Sequence, residues 1–592
     1  MPTGTRFCGT VHSERFVEGK THGVPSVVRG HGQELAMINP YRILSEHLPE
    51  RVDPTRASLS TEPKALRAWL EGLPRANQQV YVGELQRALA EFRTRRFDGF
   101  SRLETMEILR PMLLEVIGLM TGRLQGVAFP LTGARADAAR QLLDLVRDMA
   151  LAYRMAVSEA CAPNGRVPFL RGKQVTLALV RAVYHHVRWL TTSYFLYRSP
   201  EPGTWAQLYA LSTFAAAHKL DTKAIEDKAE RRELTVALMQ NQAIMLSLAN
   251  PYRFSQRELV ELWALTRDTA SLIELTPQRF SAAGALVLID KDLPPAFASR
   301  APDPDEGDVF WVDLRKLNDL VRAAISHAGA AHEALMRLSR DYQLSMPVSL
   351  LTRVLEGWSQ DVTRGYTRLD AGHTMDSALG LTAVHSQLSG SRTVDNTAEA
   401  ASSSNIRIGE RASWANLPSL DATHVQTAEV QVQDQSLGGY RLRWKAEHGV
   451  RVRIGELVGL ALPLASDIPR DWAIGTVRWL RYDDDGAVEA GVDLVARRSR
   501  AATLRGLSVS GGAEGSSRAL ALTALCDPIG TDSDEILLVD GLTGLETPQV
   551  EVTCQGERWD VTQYDSVQIY KLGALRPRRR VGDYLLVAPG SA

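Results

Sequence analysis

Two runs of alternating apolar and polar residues, separated by a short polar segment, most constrain how this chain can fold. The apolar members are Ala428, Val430 and Val432 in the first run, and Tyr440, Leu442 and Trp444 in the second. Alternation with a period of two is typical of strands, so a strand, a turn and a strand are predicted here. The turn, residues 434–439, offers a carboxylate, a hydroxyl and two glycines, groups to which a ligand can bind closely.

The length of the chain sets its domain count. A chain of 592 residues is too long for one hydrophobic core, so about two to four domains are expected. Its 44% of hydrophobic and 23% of charged residues are ordinary for a soluble globular protein. A formal net charge of −1 gives no reason to expect a nucleic acid polymer as a partner, although local basic patches stay possible.

The four cysteines form no Cys-x-x-Cys pair, which argues against a zinc ribbon or a thioredoxin-like site, so no metal or cofactor is predicted. No run approaches the roughly 18–20 apolar residues of a spanning helix, and no signal-peptide core is visible near the start. We therefore expect a cytoplasmic protein without a transmembrane segment.

Helical periodicity dominates the first half of the chain. One set of apolar residues falls on a single helix face, and it consists of Leu142, Leu145, Val146, Met149 and Tyr153. Ser255 and Glu258 have the spacing of a capping box at a helix start. After a flexible N-terminal segment, residues 1–35, we predict an all-α interaction domain over residues 36–355. Long helical domains without visible chemistry serve more often as docking surfaces than as catalysts.

Short strands and turn signals follow from residue 356. Residues 378–388 are predicted as a first strand, residues 389–425 as an insertion loop, and residues 458–462, 472–479 and 488–494 as further strands. A Gly- and Ser-rich linker, residues 508–517, separates this part from a second small β-domain, residues 516–592. The predicted fold is a multidomain α plus β chain with a β-barrel over residues 356–505.

The turn carries a recognisable motif. Asp434, Ser436 and Gly439 spell Asp-x-Ser-x-x-Gly, which resembles the signature of PilZ domains, small six-stranded antiparallel β-barrels that bind cyclic di-GMP. Residues 380–385, 475–480 and 491–492 also resemble segments of the longer PilZ proteins, in which a large helical region precedes the barrel. The structural alternative is a plain tight turn in which Asp434 and Ser436 bond only the local backbone.

PilZ domains pair this motif with an Arg-x-x-x-Arg segment, for which the chain offers two candidates. We predict Arg364 with Arg368, because they come just before the first predicted strand, where PilZ domains carry their pair. Arg407 with Arg411 has the same spacing and is closer to the turn, so spacing alone does not choose between them.

The resemblance implies how the ligand is held. The planar fork of arginine bonds phosphate and stacks on a purine, whereas an ionised aspartate accepts from the N–H edge of guanine. The predicted cyclic di-GMP site therefore consists of Arg364, Arg368, Asp434, Ser436 and Gly439.

The function implied is that of a non-enzymatic cyclic di-GMP effector. Its helical domain would face an unidentified protein partner, in the control of motility, pili or surface attachment. No enzyme signature holds: Gly19-Lys20-Thr21 ends like a phosphate-binding loop, but Glu14 stands where the first glycine belongs. The alternative is a scaffold whose PilZ-like barrel does not bind nucleotide.

Overall fold

The structure is a computed structural model. It describes residues 39–279, 284–301, 309–359, 367–389, 427–463, 471–482, 485–507, 513–526, 536–540, 549–555, 567–573 and 575–589. The predicted flexible segment, residues 1–35, lies outside these ranges, and so does the predicted insertion loop, residues 389–425, apart from Ser389.

Helices form most of the described residues between Asn39 and Trp358, which we call the helical region. The described helices are α1 (Pro40–Ser45), α2 (Pro63–Glu71), α3 (Gln78–Thr94), α4 (Gly99–Leu124), α5 (Ala134–Ala160), α6 (Gly172–Phe195), α7 (Thr204–Ala217), α8 (Val236–Leu248), α9 (Gln256–Thr269), α10 (Arg315–Ala328), α11 (Val348–Trp358) and α12 (Gly380–Ser389). The apolar face predicted for α5 is buried, and Ser255 with Glu258 forms the predicted capping box of α9.

Antiparallel strands form most of the remainder. The described strands are β1 (Ile225–Asp227), β2 (Arg232–Leu234), β3 (Glu274–Thr276), β4 (Ala285–Leu288), β5 (Ala296–Phe297), β6 (Val309–Asp313), β7 (Glu333–Arg337), β8 (Gln343–Pro347), β9 (Leu369–Asp370), β10 (Thr374–Leu379), β11 (Ala428–Ser436), β12 (Gly439–Trp444), β13 (Leu457–Ala461), β14 (Ala473–Tyr482), β15 (Val488–Leu507), β16 (Ala513–Leu525), β17 (Ile536–Asp540), β18 (Gln549–Gln555), β19 (Val567–Gly573), β20 (Leu575–Val581) and β21 (Tyr584–Pro589).

The helical region also contains strands, which corrects the prediction of an all-α domain over residues 36–355. Strands β3 to β6 form a four-stranded sheet, β7 and β8 form a hairpin, and β1 and β2 form another. Every residue of β4 is buried, and a short, fully apolar run of this kind has no period that separates a strand from a helix.

Six strands close into the predicted antiparallel barrel. They hydrogen-bond in the order β12, β11, β10, β13, β14 and β15, and β15 pairs back with β12. The inward side chains are apolar, and Trp444 is fully buried among them. Its indole N–H donates to Ser377 Oγ at 2.9 Å, so this polar group has a partner inside the barrel.

Residues 378–388 were predicted as one strand, and most of them are helical. Strand β10 ends at Leu379, and Gly380 adopts a φ of 81°, which turns the chain out of the sheet into α12. Val384 and Leu388 are buried four residues apart, on one helix face against the barrel. The alternation at the start of this run was too short to reveal the helical period.

The predicted linker, residues 508–517, is wrong for residues 513–517, which lie in β16, whereas residues 508–512 lie outside the described residues. Strand β15 extends for 20 residues, its first half closes the barrel, and its second half pairs with β16 on one side and β18 on the other. The second β-unit is thus a sheet in the order β19, β18, β15, β16, β17, β21 and β20, built directly on the barrel wall.

The barrel and the helical region share one hydrophobic core. Phe129 and Val452 exchange two backbone hydrogen bonds of 2.9 and 2.7 Å, and the Phe129 ring lies edge-on to Tyr197 at 4.9 Å. Tyr482 N donates to Tyr197 O at 3.1 Å. These contacts fix the barrel against the helical region.

The crossing of α4 and α5 generates the first testable prediction. A Cβ at Gly99 would lie 2.2 Å from Ala160 N and 2.5 Å from Ala156 O, both backbone atoms that cannot move aside. Gly99→Ala is therefore expected to lower the free energy of unfolding by about 1–3 kcal/mol, as overpacking does. Thermal or urea unfolding measures this change.

Gly118 of the same helix is the matched control, because a Cβ there meets no atom within 4 Å. Gly118→Ala is expected to raise stability by about 0.5–1 kcal/mol through the loss of glycine's backbone freedom. Equal effects of the two substitutions would contradict the close helix crossing.

Candidate functional site

The predicted motif lies at the tip of the β11–β12 hairpin. Ser436 pairs with Gly439 across the turn, and Ser436 Oγ donates to Gly439 O at 3.3 Å. A bulge between Val432 and Asp434 adds one residue to β11, so Asp434 pairs with Arg441 of β12. The motif residues thus stand on paired strands and not on a free loop.

Gly439 has a steric role in closing the barrel. It lies opposite Asp493 of β15, and a Cβ at Gly439 would be 2.1 Å from Val492 O. Leu494 N also donates to Gly438 O at 2.9 Å. Because the backbones approach this closely, only glycine fits at position 439 without a shift of β15.

Arg368 is the arginine of the predicted site that the structure brings to the motif. Its Nη1 donates to Asp434 Oδ1 at 3.0 Å and to Oδ2 at 3.2 Å. Strand β9, which follows Arg368 directly, pairs with β11 at Asp434 and holds the arginine beside the turn. Arg364, Arg407 and Arg411 lie outside the described residues, so the choice between the two arginine pairs stays a prediction.

A cavity of about 1360 Å³ lies between the turn and the helical region, and we call it the cleft. Its wall on the barrel side includes Arg368, Ser436, Gly439, Tyr440, Arg478, Trp479 and Arg481. Its wall on the helical side includes Trp205, Tyr252, Arg253, Arg300 and Glu356. Arginines and aromatic rings therefore face the cavity from both sides.

Asp434 does not itself line the cleft. Its side chain is only 13% exposed, against 45% for Arg368, and Arg441 Nη1 lies 3.8 Å from its Oδ2. A ligand that approaches from the cleft meets Arg368 first.

Glu356 at the end of α11 connects the two walls of the cleft. Its Oε2 lies 2.6 Å from Arg253 Nη2 and 3.4 Å from Arg478 Nη2, and Arg478 Nη1 is 3.1 Å from Asp493 Oδ2. Burial and the neighbouring Arg478 lower the pKa of Arg253, which Glu356 opposes. One carboxylate thus neutralises an arginine from each domain.

Trp479 is the aromatic residue that the barrel presents to the cleft. A Cβ at Gly491 would lie 1.9 Å from its Nε1, so the indole rests directly on the Gly491 backbone. Arg478, Trp479 and Gly491 belong to the PilZ-like segments of the sequence, but no role was predicted for them. Their position in those spaced segments was the sequence feature that could have identified them. No local sequence pattern marks Arg253 or Glu356.

Metal chemistry has no candidate in the described parts of the chain, which contain no cluster of three or more His, Cys, Asp or Glu side chains arranged to hold an ion. Among the same residues, none of the helices combines the length and the apolar character that crossing a membrane requires.

Comparison with known proteins agrees with this architecture. The family described as "Cyclic-di-GMP receptor FimW, N-terminal domain" matches residues 64–278. The family described as "Cyclic-di-GMP receptor FimW, middle PilZ domain" matches residues 285–427 and 403–501, and the two families together span more than half of the chain. The chain therefore contains a PilZ domain, preceded by a region similar to the N-terminal domain of FimW.

A curated PilZ relative is similar along most of its length. It is the cyclic-di-GMP receptor FimW of Pseudomonas aeruginosa, 22% identical over 500 residues that cover 76% of this chain and 81% of that protein. No solved structure matches the chain significantly. The PilZ assignment and the barrel predicted from the sequence are therefore confirmed, whereas the ligand-binding roles of the five predicted residues stay a prediction.

The close approach of β12 to β15 predicts the effect of a methyl group at position 439. Gly439→Ala is expected to lower the free energy of unfolding by about 1–3 kcal/mol, because the Cβ would overlap Val492 O and force the closing strands apart. Gly372→Ala is the control, since a Cβ there meets nothing within 4 Å. A Gly439→Ala protein with an unchanged melting temperature would contradict the closure described here.

Proposed function

We propose that this PilZ protein is a non-enzymatic receptor for cyclic di-GMP, which binds in the cleft against the β11–β12 turn. The observation that carries the proposal is the contact of Arg368 with Asp434 at the edge of the cleft, beside Ser436 and Gly439. The similarity to a protein named as a cyclic di-GMP receptor supports it.

The size and charge of the cleft suit a dinucleotide. Ligand pockets commonly measure about 300–1000 Å³, and this cavity of about 1360 Å³ exceeds that range. Arg368, Arg478 and Arg253 line it, and guanidinium groups bond phosphate oxygens in pairs. Trp479 and Tyr252 add aromatic faces on which guanine can stack.

Ligand binding proceeds by exchange of partners at the turn. Arg368 leaves Asp434 for a phosphate oxygen, and the freed carboxylate accepts from N1 and N2 of guanine. Arg364 acts with Arg368 in the same clamp. Since Arg368 is 45% exposed, its contact with Asp434 is worth about 0–1 kcal/mol, so the exchange has a small free-energy cost.

Glu356 transmits ligand binding to the helical region. A phosphate near Arg478 and Arg253 competes with Glu356 for both guanidinium groups, and α11 is then released from the barrel. We further propose that this change alters how the helical region meets a protein partner in the cytoplasm. Motility, pili or surface attachment is the setting that the PilZ resemblance implies.

Removal of the arginine clamp tests the site. Arg368→Ala is expected to weaken cyclic di-GMP binding about 10- to 100-fold, the usual effect of losing a charge-assisted hydrogen bond. Isothermal titration calorimetry measures the affinity. Arg443→Ala is the control, because Arg443 stands on β12 and pairs with Asp485 without lining the cleft.

The rival arginine pair is tested in the same titration. Arg364→Ala with Arg368→Ala should abolish binding, whereas Arg407→Ala with Arg411→Ala should leave it unchanged. The reverse result would move the clamp to the later pair. No heat of binding at all for the unmodified protein would favour the scaffold that does not bind nucleotide.

Glu356→Gln tests the coupling. Loss of the competing charge is expected to raise the affinity for cyclic di-GMP several-fold, and to increase hydrogen exchange at residues 251–259 before ligand is added. Glu447→Gln, which pairs with Lys445 outside the cleft, is the control. Saturating ligand that leaves exchange unchanged throughout residues 46–355 would refute the coupling.

A further inference from the structure

The loop between α5 and α6 presents two large apolar side chains to water. Phe169 is 90% exposed and Leu170 is 86% exposed, the highest values among the large hydrophobic residues of the described chain. Phenylalanine and leucine are ordinarily buried in cores, so this pair, which we call the apolar tip, needs an explanation.

The base of this loop is held in place. A Cβ at Gly165 would lie 2.7 Å from the Tyr41 ring, and Gly165 N donates to Cys161 O at 2.8 Å. Arg171 N donates to Pro168 O at 3.1 Å, which forms a turn around the tip. Leu170 has a φ of 63°, a conformation that leucine rarely adopts. The backbone thus holds both side chains outward in a fixed arrangement.

The charged residues of the loop itself have one sign. Arg166, Arg171 and Lys173 are exposed, and residues 162–174 contain no acid. The acids of the adjoining helix ends are already engaged. Asp98 accepts from the backbone of Phe100 and Ser101 as the N-cap of α4, and Glu159 pairs with Arg51 and Arg102.

We propose that the apolar tip docks the protein on an anionic membrane surface, with Phe169 and Leu170 at the level of the acyl chains. The three basic residues then contact lipid phosphates. Two side chains of this size offer roughly 300 Å² of contact, well below the roughly 800 Å² that each partner of a specific protein complex buries. This small contact area therefore favours a membrane over a protein pocket. The three basic residues favour anionic lipid.

The apolar tip is remote from the cleft. Helix α6 begins beside the tip at Gly172 and reaches the cleft at Tyr194, so its 24 residues separate the two sites by about 35 Å. Substitutions at the tip can therefore be made without touching the proposed nucleotide site. The proposal also stands independently of cyclic di-GMP binding.

Vesicle sedimentation tests the docking. The full chain is expected to sediment with vesicles of phosphatidylglycerol and phosphatidylcholine in equal parts, and much less with phosphatidylcholine alone. Phe169→Ala with Leu170→Ala should weaken this binding at least about tenfold, because the inserted apolar area is lost. Leu335→Ala with Val260→Ala is the matched control, since these residues are 63% and 50% exposed elsewhere on the surface.

The basic residues beside the apolar tip are tested separately. Arg166→Ala with Lys173→Ala should weaken binding about 30-fold at low salt, and added salt should reduce the difference from wild type. Unchanged thermal unfolding establishes that each variant is folded. The proposal is overturned if the wild-type chain stays in solution with both vesicle types, if the tip and control variants bind alike, or if a crosslinker at position 169 captures protein and no lipid.

Discussion

The pairing of β12 with β15 is the constraint on which the barrel and its site depend. Gly439 to Trp444 lie opposite Asp493 to Val488, and this register closes a sheet that otherwise has two open edges. Closure requires that the backbones meet at Gly439, where no side chain fits. The same contact places the turn beside β15 at the mouth of the cleft. Gly439 therefore serves the fold first, and Asp434 is the motif residue that contributes charge.

Under the proposed function, a charged ligand enters a cleft that already contains ion pairs. Arg368, Arg478 and Arg253 are each neutralised by a carboxylate of the same chain. Pairs as exposed as Arg368 with Asp434 contribute little net stability, since water screens them. A doubly charged dinucleotide offers the same guanidinium groups bidentate partners. Carboxylates thus hold these three arginines in position, and none of the three is a buried, unpaired charge.

Local patterns in the sequence predicted local structure well. The alternation of residues 428–444 predicted β11, the turn and β12, and the helical period predicted α5. Prediction failed where a run was short, as at α12, or where the last residues of a Gly- and Ser-rich segment lie in a strand, as at the start of β16. Turn composition alone does not distinguish a chain that returns along the same sheet from one that leaves it.

Within the site, the sequence predicted the residues of one short motif. It did not predict Glu356 and its arginine partners, which are far apart in the sequence. Glu356 is 103 positions from Arg253 and 122 from Arg478, and no spacing rule relates residues so distant. Arg368 with Asp434, 66 positions apart, was predicted only through the resemblance to PilZ domains.

The apolar tip could not be predicted from the sequence for a related reason. Phe169 and Leu170 are residue types that usually lie in a core, and only the fold shows that they are exposed.

The shared core limits how the cleft can respond to a ligand. Barrel residues such as Val432 and Leu480 belong to the same buried cluster as α5 and α6. Opening the domains as rigid bodies would expose that apolar surface at about 25 cal/mol per Å², a large cost compared with any single ion pair. Rearrangement of the charged rim, which consists of Arg253, Glu356 and Arg478, has no such cost. Each of these side chains can exchange one polar partner for another. In the proposed coupling, the response to a bound anion is therefore confined to α11 and the rim, while the barrel stays fixed on the helical region.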